Sequence, residues 1–196
     1  MPFRDYLERI NSENRRINIH EQISPAYEIA GVMKNLEPNP VFFNNVIGSD
    51  FRVAGNLFCS KDSFADYFNI KSDQIIPTLT NAIENPTSGE QIQSAPCQEV
   101  VRQNIDLDDL PILKHCEGDG GNYITSGIYF TKHPKFGQNA DYHRCMQISK
   151  SEMAVRVVTS RHFDIYLNET KELDVAICIG NSPNVLAAAA ISVDLG

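Results

Sequence analysis

Between residues 139 and 162 the chain gathers side chains that can hold anions and cations. The run Asn139 to Ile148, NADYHRCMQI, sets Ala140, Tyr142, Arg144, Met146 and Ile148 on one parity and Asp141, His143, Cys145 and Gln147 on the other. That alternation is a strand pattern, yet it carries Asn139, Asp141, His143 and Arg144, groups that are costly to bury unless paired. An Arg on a strand facing a cavity can hold a carboxylate or phosphate through two hydrogen bonds. An Asn oxygen can complete the shell of a hard divalent cation. An edge strand with solvated polar groups accounts for the same residues equally well. A second cluster, VRVVTSRHF, places Arg156 among Val155, Val157 and Val158, followed by Arg161 and His162. Arg156 must reach the surface or meet an anion, because a buried Arg without a partner is strongly disfavoured. His162 could ligate a metal, although a single His more often serves structure. A third stretch, GDGGNYITSG from Gly118 to Gly127, lacks the Gly-Lys-Ser/Thr of a Walker loop and the following helix of a dinucleotide fingerprint. It reads either as a turn that needs positive φ or as backbone lying close to a ligand. The three signals sit near strand ends of one small sheet and together suggest a single cavity for an anionic, metal-bridged ligand.

The elements that must position these groups read as follows. Phe3 to Ile10 has the pattern of an amphipathic helix, and Arg16 to Ile19 alternates like a strand. Ser24-Pro25 opens a helix to about Leu36, ended by Pro38 and Pro40. PVFFNNVIG is a buried strand, Ser60 caps a helix through Phe68, and a weaker helix interrupted by Pro77 covers Asp73 to Ile83. ENPTSGEQ, around residue 88, is a loop. From Pro96 onward CQEVVRQ, YITSGIYFTK, ADYHRCMQI and EMAVRVV are strand candidates, with HPKFGQN as a turn between the second and third. Short links favour antiparallel pairing in a meander or barrel. Ser160 to Leu167 reads as a helix, LDVAICIG as a buried strand, and Ser182-Pro183 as the start of a last helix. The chain stops at ISVDLG just after a strand–helix unit, so the expectation is a part of a longer polypeptide.

Bulk properties narrow the function classes. The 196 residues are 42% hydrophobic and 21% charged, a globular composition. A net charge of −8 gives no basic surface for nucleic acid or anionic membranes, although a local basic pocket remains open. The charged N-terminus is no signal peptide, and no run reaches the roughly 18 apolar residues of a membrane span. The five cysteines are odd in number and form no CxxC, so neither a disulfide framework nor a zinc knuckle is expected. They read as reduced, small hydrophobes of a cytoplasmic protein.

The order of segments resembles the N-terminal part of the UbiD family of reversible decarboxylases, which use prenylated FMN. FRDYLERI, VFFNNVIGSDFRVAGNLFCSKDSFADYF, APCQEVV, DLDDLPILKHCEGDGGNYITSGI and VAICIGNSPNVLAAAAI carry the resemblance, nearly end to end. Cys59 stands where the family has a small residue. The resemblance implies that Asn139 ligates a divalent metal, usually manganese, bridging to the flavin phosphate, with potassium as a further candidate ion. It implies that Arg144, five residues on, is catalytic and lies beside the flavin. Tyr142, His143 and Arg144 match one cofactor-contacting run, Arg156, Val157 and Val158 a second, and Arg161 and His162 a third. His162 matches a position that some members use as a metal ligand. The family's carboxylate metal ligand and catalytic acids have no counterpart in these residues, and none of Glu152, Asp164, Glu169 or Glu172 sits at their positions.

The expected architecture is therefore α+β. A mixed α/β domain runs from residue 1 to 110, and the first part of a split β-barrel flavin-binding domain from 111 to 196, with part of its edge open. The implied partners are a small carboxylic-acid substrate, a flavin prenyltransferase as cofactor supplier, and copies of the chain or a partner carrying the missing half. The texture is most similar to the archaeal branch that decarboxylates anhydromevalonate phosphate in isoprenoid synthesis. Two readings compete with the decarboxylase: a non-catalytic flavin- or nucleotide-binding subunit, and a split-barrel flavoprotein of the reductase type. The latter does not explain the Asn/Arg pair.

Overall fold

Apolar spacing at Tyr6, Leu7 and Ile10 gives the first helix, α1 (Phe3–Ser12), one buried face. In this computed structural model, which describes residues 1–87, 89–193 and 195, α1 packs on a three-stranded sheet. The sheet holds β1 (Ile17–Ile19), β2 (Val41–Phe43) and β3 (Val53–Gly55) in that order. β1 and β2 are parallel, joined through α2 (Glu28–Leu36), and β3 returns antiparallel. Every residue of β2 is buried, as its unbroken apolar run requires of a central strand covered on both faces. Phe42 packs with Tyr6, Leu7, Ile10, Leu57 and Tyr67 on one side. Val41 and Phe43 pack with Ile23, Ile29 and Val46 on the other.

Local chemistry sets the helix ends. α3 (Lys61–Phe68) starts where Ser60 predicts: the Ser60 Oγ accepts from the Ser63 amide at 3.1 Å, and Ser63 Oγ accepts from the Ser60 amide at 3.2 Å. α4 (Ile75–Glu84) follows a 3₁₀ turn and runs uninterrupted. Pro77 falls in its first turn, where an N–H has no intrahelical partner to lose. α2 begins three residues later than a Ser24 cap suggests. The Ser24 Oγ instead accepts from the Ala26 amide, and the Tyr27 amide donates to the Lys114 carbonyl at 2.8 Å. This pairing to a distant segment holds residues 24–27 out of the helix.

The second half of the chain is strand-rich. β4 (Tyr123–Ile124), β7 (Cys145–Gln147) and β8 (Met153–Val155) form one antiparallel sheet in the order β4-β7-β8. β5 (Ile128–His133), β6 (Gly137–Tyr142) and β9 (Val175–Cys178) form another in the order β6-β5-β9. The β5–β6 hairpin turns at Gly137, whose φ of +79° favours glycine. α5 (His162–Thr170) and α6 (Pro183–Ala190) complete the elements. Ile112, Ile124, Tyr129, Cys145 and Phe163 form the core here.

The arrangement is the expected mixture of helices and sheets, and among the described residues no sheet closes into a barrel. Three local expectations are corrected. CQEVVRQ is not a strand: Pro96–Gln98 is a 3₁₀ turn and Val100 and Val101 are exposed, because strand-forming side chains need a partner strand. β9 is not buried but is an exposed edge strand. The cysteines are all free among the described residues, but only Cys145 is buried, while Cys59, Cys97 and Cys116 are exposed.

Candidate functional site

The strand predicted over NADYHRCMQI is two strands in two sheets. β5 and β6 pair with Ile128 opposite Tyr142, whereas β4 and β7 pair with Ile124 opposite Cys145. Three residues, Thr125 to Gly127, thus face two, His143 and Arg144. The register shift is a bulge, a device that bends a ladder and re-aims its side chains. Gly127 permits the bend by close packing: a Cβ there would lie 2.9 Å from Ile177 Cγ2 and 3.3 Å from Ile124 Cγ2. Gly120 and Gly121 likewise sit against Met146. The glycines of GDGGNYITSG have ordinary negative φ among the described residues. Close packing calls for glycine at Gly121 and Gly127, whereas Gly118 has room around it.

Alternation continues across the bulge. Tyr142 and Arg144 are exposed, while His143 and Cys145 are buried. Tyr142 donates its hydroxyl to the Leu186 carbonyl of α6 at 3.1 Å. On the opposite, inner face of β6, Asn139 and Asp141 stand across from Thr131 and Tyr129 of β5. Both of these β5 side chains are buried. The Tyr129 hydroxyl, Thr131 Oγ1, Asn139 Nδ2, Asp141 Oδ1 and His143 Nε2 are buried without a well-aligned hydrogen-bond partner. Burial pushes the Tyr129 phenol well above its ordinary pKa.

His143 is buried as well. Its Nε2 is 3.1 Å from Asp141 Oδ1, off the line of a good hydrogen bond, and its Nδ1 is 3.3 Å from the Arg156 carbonyl. Burial pulls the imidazole pKa down. The Asp141 carboxylate and the Arg156 carbonyl together outweigh that and leave it raised. The ring stands edge-on to Tyr129 at 5.0 Å and tilted against Phe163 at 4.5 Å.

The C-terminal cluster is split by position. β8 ends at Val155, so Arg156 is exposed and Val157 packs into the core, while Val158 is exposed again. Arg161 occupies the N-cap position of α5 without a side-chain capping bond, and it donates to Ser192 Oγ at 2.7 Å. His162 is the first residue of α5, and its Nδ1 lies 3.3 Å from Asn139 Oδ1. The fold therefore brings together the two residues that the resemblance offers as metal ligands, 23 positions apart. Among the described residues no group of three or more His, Cys, Asp or Glu could hold a metal ion. The nearby acids have local tasks: Glu152 accepts from Ser149, Asp164 from the Ser160 amide, and Glu169 lies 3.8 Å from both His133 and Lys135.

Tyr129 and Thr131 carry no signal in the sequence, and Asp141 stands out there only as a costly group on the strand, without a role. Asp141 shares the parity of Asn139 and His143, which was the available signal. The β5 residues are linked to them only by cross-strand register.

Comparison with known proteins fits this architecture. Residues 7–83 match the N-terminal domain, and residues 90–196 the Rift-related domain, of 3-octaprenyl-4-hydroxybenzoate carboxy-lyases. The chain belongs to the UbiD family. It is 33% identical to anhydromevalonate phosphate decarboxylase of Methanosarcina mazei, covering 100% of this chain and 46% of that protein. It is 32% identical to the protein of that name from Methanothermobacter thermautotrophicus, covering 98% of this chain and 45% of that one. The chain thus spans about half the length of the curated relatives it matches. An evolved dimeric form of the UbiD-class enzyme HmfF from Pelotomaculum thermopropionicum, solved in complex with prFMN, superposes with a TM-score of 0.94. The identity is 27%, over 100% of this chain and 48% of that one.

Proposed function

We propose that the polypeptide carrying this chain catalyses reversible, non-oxidative decarboxylation of an unsaturated or aromatic carboxylic acid, with prenylated FMN and a divalent metal such as Mn²⁺. The observation that carries this reading is the approach of Asn139 Oδ1 to His162 Nδ1 at 3.3 Å, with Arg144 exposed on the same strand segment. An amide oxygen suits Mn²⁺ or Mg²⁺, and an imidazole nitrogen suits the transition metals, so the mixed pair favours Mn²⁺ over Mg²⁺. The two atoms lie close enough together for one cation to take both as ligands. Potassium is a further candidate ion. The residues present fit half of such a site, and we place the carboxylate ligand and the catalytic acids outside these 196 residues.

In this reading Asn139 and His162 hold the metal beside the cofactor phosphate. Arg156 and Arg161 offer guanidinium donors to it. Arg144, Tyr142 and the backbone around His143, Val157 and Val158 line the flavin. The bound cofactor supplies the electron sink that lets CO₂ leave. Arg144 orients the substrate carboxylate and, with acids from outside this chain, sets the proton that replaces it. The chain alone would bind and position without turning over. The relatives named anhydromevalonate phosphate decarboxylase support that phosphorylated acid, in isoprenoid synthesis, as the substrate. A boundary between an N-terminal α/β domain and the first part of a split barrel near residue 110, a cytoplasmic site of action and a homo-oligomer or partner chain complete the reading. No helix among the described residues is long and apolar enough to cross a membrane.

The test is to co-express the chain with a flavin prenyltransferase, purify it with Mn²⁺ and record the near-UV and visible spectrum. A bound flavin-type chromophore supports the reading. A folded protein that retains neither flavin nor metal, even with the polypeptide extended to the length of its relatives, rejects it.

A further inference from the structure

We propose that His143 and Asp141 are positioning residues that fasten the Arg144 segment to the Arg156–Val158 segment. The inference rests on the functional reading for its consequence, but on geometry alone for the tether. His143 and Arg144 occupy the bulge, outside the paired ladders of both sheets. Arg144 therefore lacks the cross-strand register that fixes its neighbours Tyr142 and Cys145. The buried side chain of His143 supplies an alternative anchor. Its two ring nitrogens face two acceptors: Asp141 Oδ1 at 3.1 Å and the Arg156 carbonyl at 3.3 Å. Nδ1 is placed to donate to the Arg156 carbonyl, while Nε2 is held beside Asp141 Oδ1 by proximity and not by an aligned hydrogen bond. Tyr129 from β5 and Phe163 from α5 clamp the ring on its sides. One residue thus links β6, β5, α5 and the segment after β8. That segment is the second run assigned above to the flavin.

The variants are His143→Gln, His143→Phe and the double change Asp141→Asn with His143→Phe. The double change removes the buried carboxylate that His143→Phe alone would strand, so it keeps the test interpretable if the single variant fails to fold. Backbone amide exchange is measured on the full polypeptide without ligand. The double variant should exchange about tenfold faster in the peptides carrying Arg144 and Arg156, while β2 exchanges as in the parent. His143→Gln, which keeps an N–H for the Arg156 carbonyl, should recover most of that protection. Binding of FMN in the presence of Mn²⁺, followed by flavin fluorescence, should weaken about tenfold in the double variant and recover in His143→Gln. Unchanged exchange at both peptides, or faster exchange spread evenly to β2, overturns the tether. Local acceleration in a protein whose parent form binds no FMN leaves the tether standing and rejects the functional reading instead.

Discussion

Replacing Thr131 by Val should stabilise the protein. Thr131 is only 3% exposed, on the inner face of β5, and its Oγ1 has no hydrogen-bond partner. A buried hydroxyl without a partner costs about 1–3 kcal/mol relative to its hydrated state in the unfolded chain. Val keeps the branched shape that suits a strand and removes the polar atom. Across the ladder, Asn139 Nδ2 is also unpaired, so small shifts can partly satisfy the hydroxyl. The expected gain therefore falls at the lower end, about 1 kcal/mol, which at this chain length raises the melting midpoint by about 2–4 °C. Urea unfolding of parent and variant measures it, provided the slope is unchanged. A loss of about 1 kcal/mol or more would refute the reasoning and show that the Thr131 hydroxyl is bonded in the native state, with Asn139 as the nearest candidate.

Two further outcomes follow from the same kind of reasoning. Ser60→Ala removes the Ser60 hydroxyl that accepts from the Ser63 amide, while the amide of residue 60 keeps its bond to Ser63 Oγ; it should cost about 1 kcal/mol, with Ser60→Gly costing only a few tenths, read from the same urea curves. The folded pKa of His143 is raised, chiefly by Asp141 working against burial. Its stabilising contribution is therefore fully present below the unfolded value of about 6.5 and is lost as pH rises through the folded value. Parent minus Asp141→Asn stability, measured across that range, should shrink as pH rises, and a difference that grows would contradict the assignment.

The sequence made the periodic and capped elements legible because their causes are local. Ser60 fixes its helix start through its own hydroxyl, and the unbroken apolar run of β2 needs no partner to be recognised as buried. Ser24 carried the same capping signal but failed, because residues 26 and 27 pair with Lys114, far along the chain. CQEVVRQ had strand composition without a strand to pair with. The strand over residues 139–148 was visible by alternation, but its bulge was not, since it depends on the register of β4 and β5. The same holds for the candidate site. Asn139 and His162 were named from family spacing and meet in the fold, whereas the inward turn of His143 onto Asp141 needed the packing of Tyr129 and Phe163.

The most direct test of the central claim is Mn²⁺-dependent flavin binding, with decarboxylation followed in parallel, in Asn139→Ala, His162→Ala and Arg144→Ala variants of the complete enzyme. The account predicts that Asn139→Ala and His162→Ala weaken metal and flavin together. It predicts that Arg144→Ala abolishes decarboxylation while leaving much of the flavin bound. Equal, small effects from Asn139→Ala and Arg144→Ala would contradict it.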